Sequence, residues 1–131
     1  MFKRIKYFIQ RGKRGYSDED TWDFHSYLCD ILIPVLRNLS KNKMSCPVEF
    51  WDKENKNDEC YKWSEILESM AQGFEAAQMI CNMQYYKMTK TTFGGSTGLT
   101  REIDEEKMKL LTEKYEKGIE LFCKHFLSLW D

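Results

Sequence analysis

The chain is expected to fold as one all-α domain over residues 1–131, an irregular bundle of a short basic N-terminal helix and three longer helices. Three observations lead there. Apolar residues recur at spacings of three and four through most of the sequence, instead of alternating. Two Pro and seven Gly among 131 residues are too few for an all-β chain, which needs a turn about every ten residues. A content of 42% hydrophobic and 15% aromatic residues argues against disorder and is enough for a core burying roughly two-thirds of the unfolded surface.

The first sixteen residues form a basic arm. They hold Lys3, Arg4, Lys6, Arg11, Lys13 and Arg14 and no acid, while the rest of the chain carries the other fourteen basic residues and all 21 acidic ones. Phe2, Ile5 and Ile9, flanked by Phe8, repeat at helical spacing and predict a short amphipathic helix over 2–11, ended by Gly12 and Gly15. Ile5, Phe8 and Ile9 are expected to staple this helix onto the bundle. The six cations of the arm are candidates for nucleic-acid contact, with Tyr7 and Tyr16 available for stacking. The acidic body would confine such binding to the arm and make it weak and salt-sensitive. The helix is short for a membrane-surface role, and no membrane partner is expected.

Ser17 followed by Asp20 has the spacing of a capping box, in which the Ser hydroxyl takes an orphan backbone N–H and the acid reaches back to the cap. It should open a second helix from Asp18 to about Asn42, whose apolar face is Phe24, Leu28, Ile31, Leu32, Val35, Leu36 and Leu39. Pro34 removes one backbone hydrogen bond inside it and predicts a kink. Residues 43–58 lose the periodicity and read as a long connecting loop, a class of segment that often carries function. Phe50 and Trp51 in that loop are candidate partner anchors if exposed, or else a lid folded back on the core.

Trp63, Ile66, Leu67, Met70, Phe74, Ala77, Cys81, Tyr85 and Met88 step by three and four and predict a third helix from Glu59 to about Thr91, roughly 45 Å long. Met83, Tyr85 and Tyr86 enrich its second half in soft and aromatic groups, which suit either an adaptable binding surface or a second core face. Residues 93–101 are Gly-rich but match neither GxxxxGK[ST] nor GxGxxG, so a flexible turn is expected, not a phosphate cradle. Thr100 and Asp104 then open the last helix. Met108, Leu111, Tyr115, Ile119, Phe122, Phe126 and Leu129 carry it toward Trp130.

No catalytic, cofactor or metal set stands out. The two histidines, His25 and His125, lack a Glu three residues before them, and the five cysteines are scattered singly, so neither a zinc set nor a di-iron helical site is expected. An odd number of cysteines without a CxxC pair points to a reducing cytosol and no disulfide framework. Glu19, Asp23 and His25 could form an acid–base group, and Cys29 lies one helical turn from His25. Capping and burial explain those residues without chemistry. No window approaches the roughly 20 apolar residues of a membrane span, and no signal peptide is visible.

Two blocks carry a resemblance. Arg11-Gly12-Lys13-Arg14-Gly15-Tyr16-Ser17-Asp18-Glu19-Asp20-Thr21-Trp22 with Tyr27-Leu28, and Trp63-x-x-Ile66-Leu67-x-x-Met70-x-x-Gly73-Phe74-Glu75, together resemble a group of small uncharacterised proteins encoded mainly by tailed phages. Between them the chain departs from the group: Ser45-Cys46-Pro47-Val48 and an insertion through Asn57 stand where a short G-Y-P segment belongs. The resemblance implies a phage or prophage origin and a helical fold, and no activity. Trp22, Tyr27, Trp63 and Phe74 read as core aromatics where the second and third helices cross. Origin and size together lead to the expectation of a non-enzymatic accessory protein in the host cytoplasm. It would bind a host or phage protein, inhibition of a host defence nuclease (an anti-CRISPR role) being one form. A nucleic-acid-associated protein is the alternative, and homo-oligomerisation stays open.

Overall fold

The computed structural model describes residues 2–51 and 60–130. The chain divides into two compact units, Met1–Ile31 and Leu32–Asp131.

In the first unit, helix α1 (Phe2–Arg14) runs through Gly12. Gly15 ends it: its φ of 82° is left-handed, as a helix C-terminal glycine allows, and its N–H bonds Arg11 O at 2.9 Å. A 3-10 turn (Glu19–Thr21) follows, and α2 (Phe24–Asn42) begins at Phe24, later than the Ser17–Asp18 start expected. Half of the capping box forms. The Ser17 N–H donates to Asp20 Oδ2 at 2.6 Å, but the Ser17 hydroxyl caps no backbone N–H. α1 buries none of its residues. Phe2, Ile5, Phe8 and Ile9 are 90%, 49%, 77% and 48% exposed. Trp22, expected in a core, is also exposed.

The second unit takes in the rest of α2, which stays helical through Pro34. It also holds a 3-10 turn (Val48–Phe50), α3 (Tyr61–Cys81), β1 (Tyr86–Phe93), β2 (Ser96–Ile103), α4 (Glu105–His125) and a closing 3-10 turn (Phe126–Ser128). α3 and α4 are antiparallel: Trp63 meets His125 near one end, and Phe74 meets Phe122 further along. Beside the Phe74–Phe122 contact the helices touch through glycine, since a Cβ on Gly73 would lie 2.5 Å from Gly118 Cα. Leu36, Trp63, Leu67, Met70, Ala71, Phe74, Ala76 and Leu111 are buried. On α2, Arg37 reaches two acids one heptad apart on α3, with Nη2 3.0 Å from Glu68 Oε1 and Nη1 2.5 Å from Glu75 Oε1. That pairing holds the Glu68 carboxyl below its ordinary range.

The second unit departs from the sequence expectations in its secondary structure and in its cysteines. The fold is mostly helical, but not all-α, because β1 and β2 pair as an antiparallel hairpin. The third helix stops at Cys81, ten residues short of Thr91, by a Schellman arrangement: Met83 N–H bonds Ile80 O, Gln84 N–H bonds Met79 O, and Met83 takes a φ of 53°. Within 93–101 only Gly94-Gly95 is turn, with φ of 59° and 83°, values that suit a two-residue hairpin loop. Asp104, not Thr100, caps the last helix, accepting the Lys107 N–H at 3.1 Å. The second departure concerns cysteine. Cys46 and Cys60 are disulfide-bonded with Cα atoms 5.8 Å apart, against the expectation of no disulfide. Cys81 and Cys123 are exposed, not buried in helix faces. No helix among the described residues is long and apolar enough to cross a membrane.

Candidate functional site

The hairpin joins the ends of α3 and α4, with Asp104 N–H bonded to Tyr85 O at 2.9 Å across its base. Its register pairs Tyr86 with Ile103, Met88 with Arg101, Lys90 with Leu99 and Thr92 with Thr97. Side chains alternate along a strand, and directly paired residues share a face. One face therefore carries Tyr86, Met88, Leu99 and Ile103 with the cations Lys90 and Arg101 among them. The other carries Thr89, Thr91, Thr100 and Phe93, and the Thr89 and Thr100 hydroxyls lie 3.3 Å apart. Every residue of β2 is exposed, Leu99 by 64%, and Met88 on β1 by 59%.

The aromatic base of the hairpin brings two of the expected binding residues together. Tyr85 and Tyr86 stack with ring centroids 4.8 Å apart, and the Arg101 guanidinium lies 5.2 Å from the Tyr86 centroid. Burial first, and the Tyr86 hydroxyl beside it second, raise the Tyr85 phenol above the ordinary tyrosine range. Met83 is half-exposed next to this stack. A left-handed conformation is costly for a side-chain-bearing residue, and retained strain of this kind gathers at functional positions.

Phe50 and Trp51 part company. Phe50 stacks on the buried Trp63 at 5.2 Å and meets the His125 ring at 5.3 Å, so it is core and not an anchor. Trp51 is half-exposed. The rest of that loop, residues 52–59, lies outside the described residues.

Of the six arm cations, three are engaged by the unit's own acids. Arg11 grips Asp20 through two nitrogens, with Nε 2.9 Å from Oδ2. Lys6 Nζ lies 3.1 Å from Asp18 Oδ2, and Arg14 pairs with Asp18 as well. Gln10 donates to Asp18 at 2.7 Å and accepts its N–H at 3.0 Å. Among the described residues no ion pair engages Lys3, Arg4 or Lys13. The hydrogen bonds from Gln10, Arg14 and Lys6 hold the Asp18 carboxyl far below its ordinary range, and Arg11 does the same to the buried Asp20. The nucleic-acid candidates are thereby halved, because a cation closed on a carboxylate releases little on meeting a phosphate.

The acid–base candidates meet in the open. His25 Nδ1 is 2.9 Å from Asp23 Oδ1 with both side chains 60% exposed, and Glu19 is exposed too. Cys29 is buried. Among the described residues no group of three His, Cys, Asp or Glu could hold a metal ion. Neither the hairpin nor the strained Met83 was found from sequence as such. The signal for the hairpin was present in Thr89, Thr91, Thr92, Thr97 and Thr100 around Gly94-Gly95, which is β-branched composition about a hairpin dipeptide; nothing in the composition marks Met83. No family model, curated protein or solved structure matches the chain.

Proposed function

We propose that the protein is a non-enzymatic binding protein, a phage or prophage accessory factor acting on a host or phage protein, and that the hairpin is its recognition element. The observation that supports this reading is the hairpin's apolar–cationic face. A two-stranded hairpin is marginal in water on its own, yet this one holds Met88, Leu99 and Ile103 in solvent beside the Tyr85–Tyr86 stack. Exposed apolar side chains gathered on one face, with tyrosine and arginine among them, have the composition of a binding hot spot. The partner that fits would present an apolar centre rimmed by carboxylates, which Lys90 and Arg101 would meet. The nucleic-acid alternative ranks second because Lys6, Arg11 and Arg14 are already paired.

A photo-crosslinking residue placed at Leu99, or at the exposed Glu113 on α4 as control, tests this in host cells that carry the phage. The Leu99 position should give one discrete adduct, absent from the control and lost when Met88→Asp is added. No adduct, or the same adduct from both positions, would count against the hairpin.

A further inference from the structure

Helix α1 is mounted with its polar side toward its own unit. At 3.6 residues per turn, Phe2, Ile5, Phe8 and Ile9 fall within an arc of about 120°. Lys6, Gln10, Arg14 and Arg11, which hold Asp18 and Asp20, centre on the opposite side of the helix. Burial agrees with the bonding: Tyr7 and Gln10 are the half-buried residues of α1, and the four large apolar ones are exposed. The same count places Arg4 beside Phe8 at one edge of the apolar arc and Lys13 beside Phe2 at the other. Neither is in an ion pair among the described residues.

From this arrangement we infer that α1 docks on the surface of an anionic phospholipid bilayer, lying in the headgroup plane with Phe2, Ile5, Phe8 and Ile9 inserted. Charge complementarity selects this occupant. A flat anionic surface meets both edges of the stripe at once, and Arg4 and Lys13 have the reach to lay their stems along the apolar boundary and set their charges among the phosphates. Two of the unit's carboxylates, Asp18 and Asp20, bond the side of the helix across from that plane and are neutralised by Lys6, Arg11 and Arg14, so these two do not oppose approach. Insertion in the interface needs no spanning helix. The inference stands independently of the hairpin reading, since it uses none of the hairpin residues.

Co-sedimentation of the full chain with phosphatidylcholine vesicles, with and without phosphatidylglycerol, tests it at low and raised salt. Binding should appear on the anionic vesicles alone and fall with salt. Ile5→Ser with Phe8→Ser should weaken it by roughly tenfold or more with the circular dichroism spectrum unchanged. Arg4→Gln with Lys13→Gln, which keeps the stripe, should weaken it severalfold, and decides the matter if the serine variant does not fold. Three outcomes overturn the inference: no binding at low salt, equal binding to both vesicle types, or binding that neither variant changes. Self-association in sedimentation velocity, lost in the serine variant and accompanied by no vesicle binding, also overturns it and assigns the stripe to a second copy of the chain.

Discussion

Among the described residues, those buried in Met1–Ile31 are Ser17, Asp20 and Cys29, while in Leu32–Asp131 they are mostly apolar, Trp63, Leu67, Met70 and Phe74 among them, with His125 a polar exception. The first unit is closed by directional contacts: Arg11 on Asp20, Lys6, Gln10 and Arg14 on Asp18, and the Tyr27 hydroxyl donating to Gly15 O at 2.5 Å. The second is closed by apolar burial between α3 and α4. The difference teaches that amphipathic periodicity identifies which residues share a face but not what that face meets. On α3 the apolar face turns inward. On α1 it turns outward, because a row of carboxylates in the following loop takes the cationic side.

Removing a buried aromatic should break this contrast most strongly. Trp63 is 1% exposed and packs against both Phe50 and His125. Trp63→Ala should cost about 3–5 kcal/mol, the usual loss for a core aromatic, read as a lower urea midpoint. A loss under about 1 kcal/mol would mean that the second unit does not depend on its apolar core as described. Gly73→Ala should come next. The new methyl would meet Gly118 Cα and the Lys114 carbonyl, both backbone and unable to step aside, so α3 and α4 must separate. Overpacking of this kind costs about 1–3 kcal/mol, against roughly 1 kcal/mol gained from better helix propensity. A net fall in stability is expected; a net rise would show that the helices have room between them.

Much of α3 and α4 is legible in the sequence because three-four spacing and long uninterrupted patterns agree with one another there. The end of α3 was not legible. Tyr85 and Met88 continue the helical spacing past Cys81, and periodicity alone extends the helix through them. What overrides it is the Thr-rich run on either side of Gly94-Gly95, together with Met83 accepting a conformation that composition does not announce. The Cys46–Cys60 pair was hidden for a related reason: an odd count without CxxC spacing cannot say that two of five cysteines are brought within disulfide distance. At the candidate site, Tyr85 and Tyr86 stack on each other, but at the base of a hairpin instead of along a helix. Of the two readings the loop sequence leaves open for Phe50, anchor or lid, its half-buried packing on Trp63 and His125 matches the lid.

The mildest effect is the one that acts on the first unit alone. Asp18 and Asp20 have folded-state affinities for protons well below those of free carboxyls, through hydrogen bonds from Gln10, Arg14 and Lys6 on the one and from Arg11 on the other. A depressed carboxyl contributes stability that is fully present above its unfolded value, near 4, and that is lost as pH falls toward the folded one. The closure of α1 on the Asp18–Asp20 loop should therefore be intact at neutral pH and weaken progressively below pH ~4. The Ser17 amide reports it directly, because its N–H is held by Asp20 Oδ2. Its hydrogen-exchange protection should fall as the solution is acidified, while amides near Leu67 and Met70, which depend on apolar packing, keep theirs over the same range. Asp20→Asn should remove the Ser17 protection at neutral pH and abolish its acid dependence. If Ser17 and Leu67 lost protection together, the two units would open as one cooperative structure, and the division between polar and apolar closure would not survive.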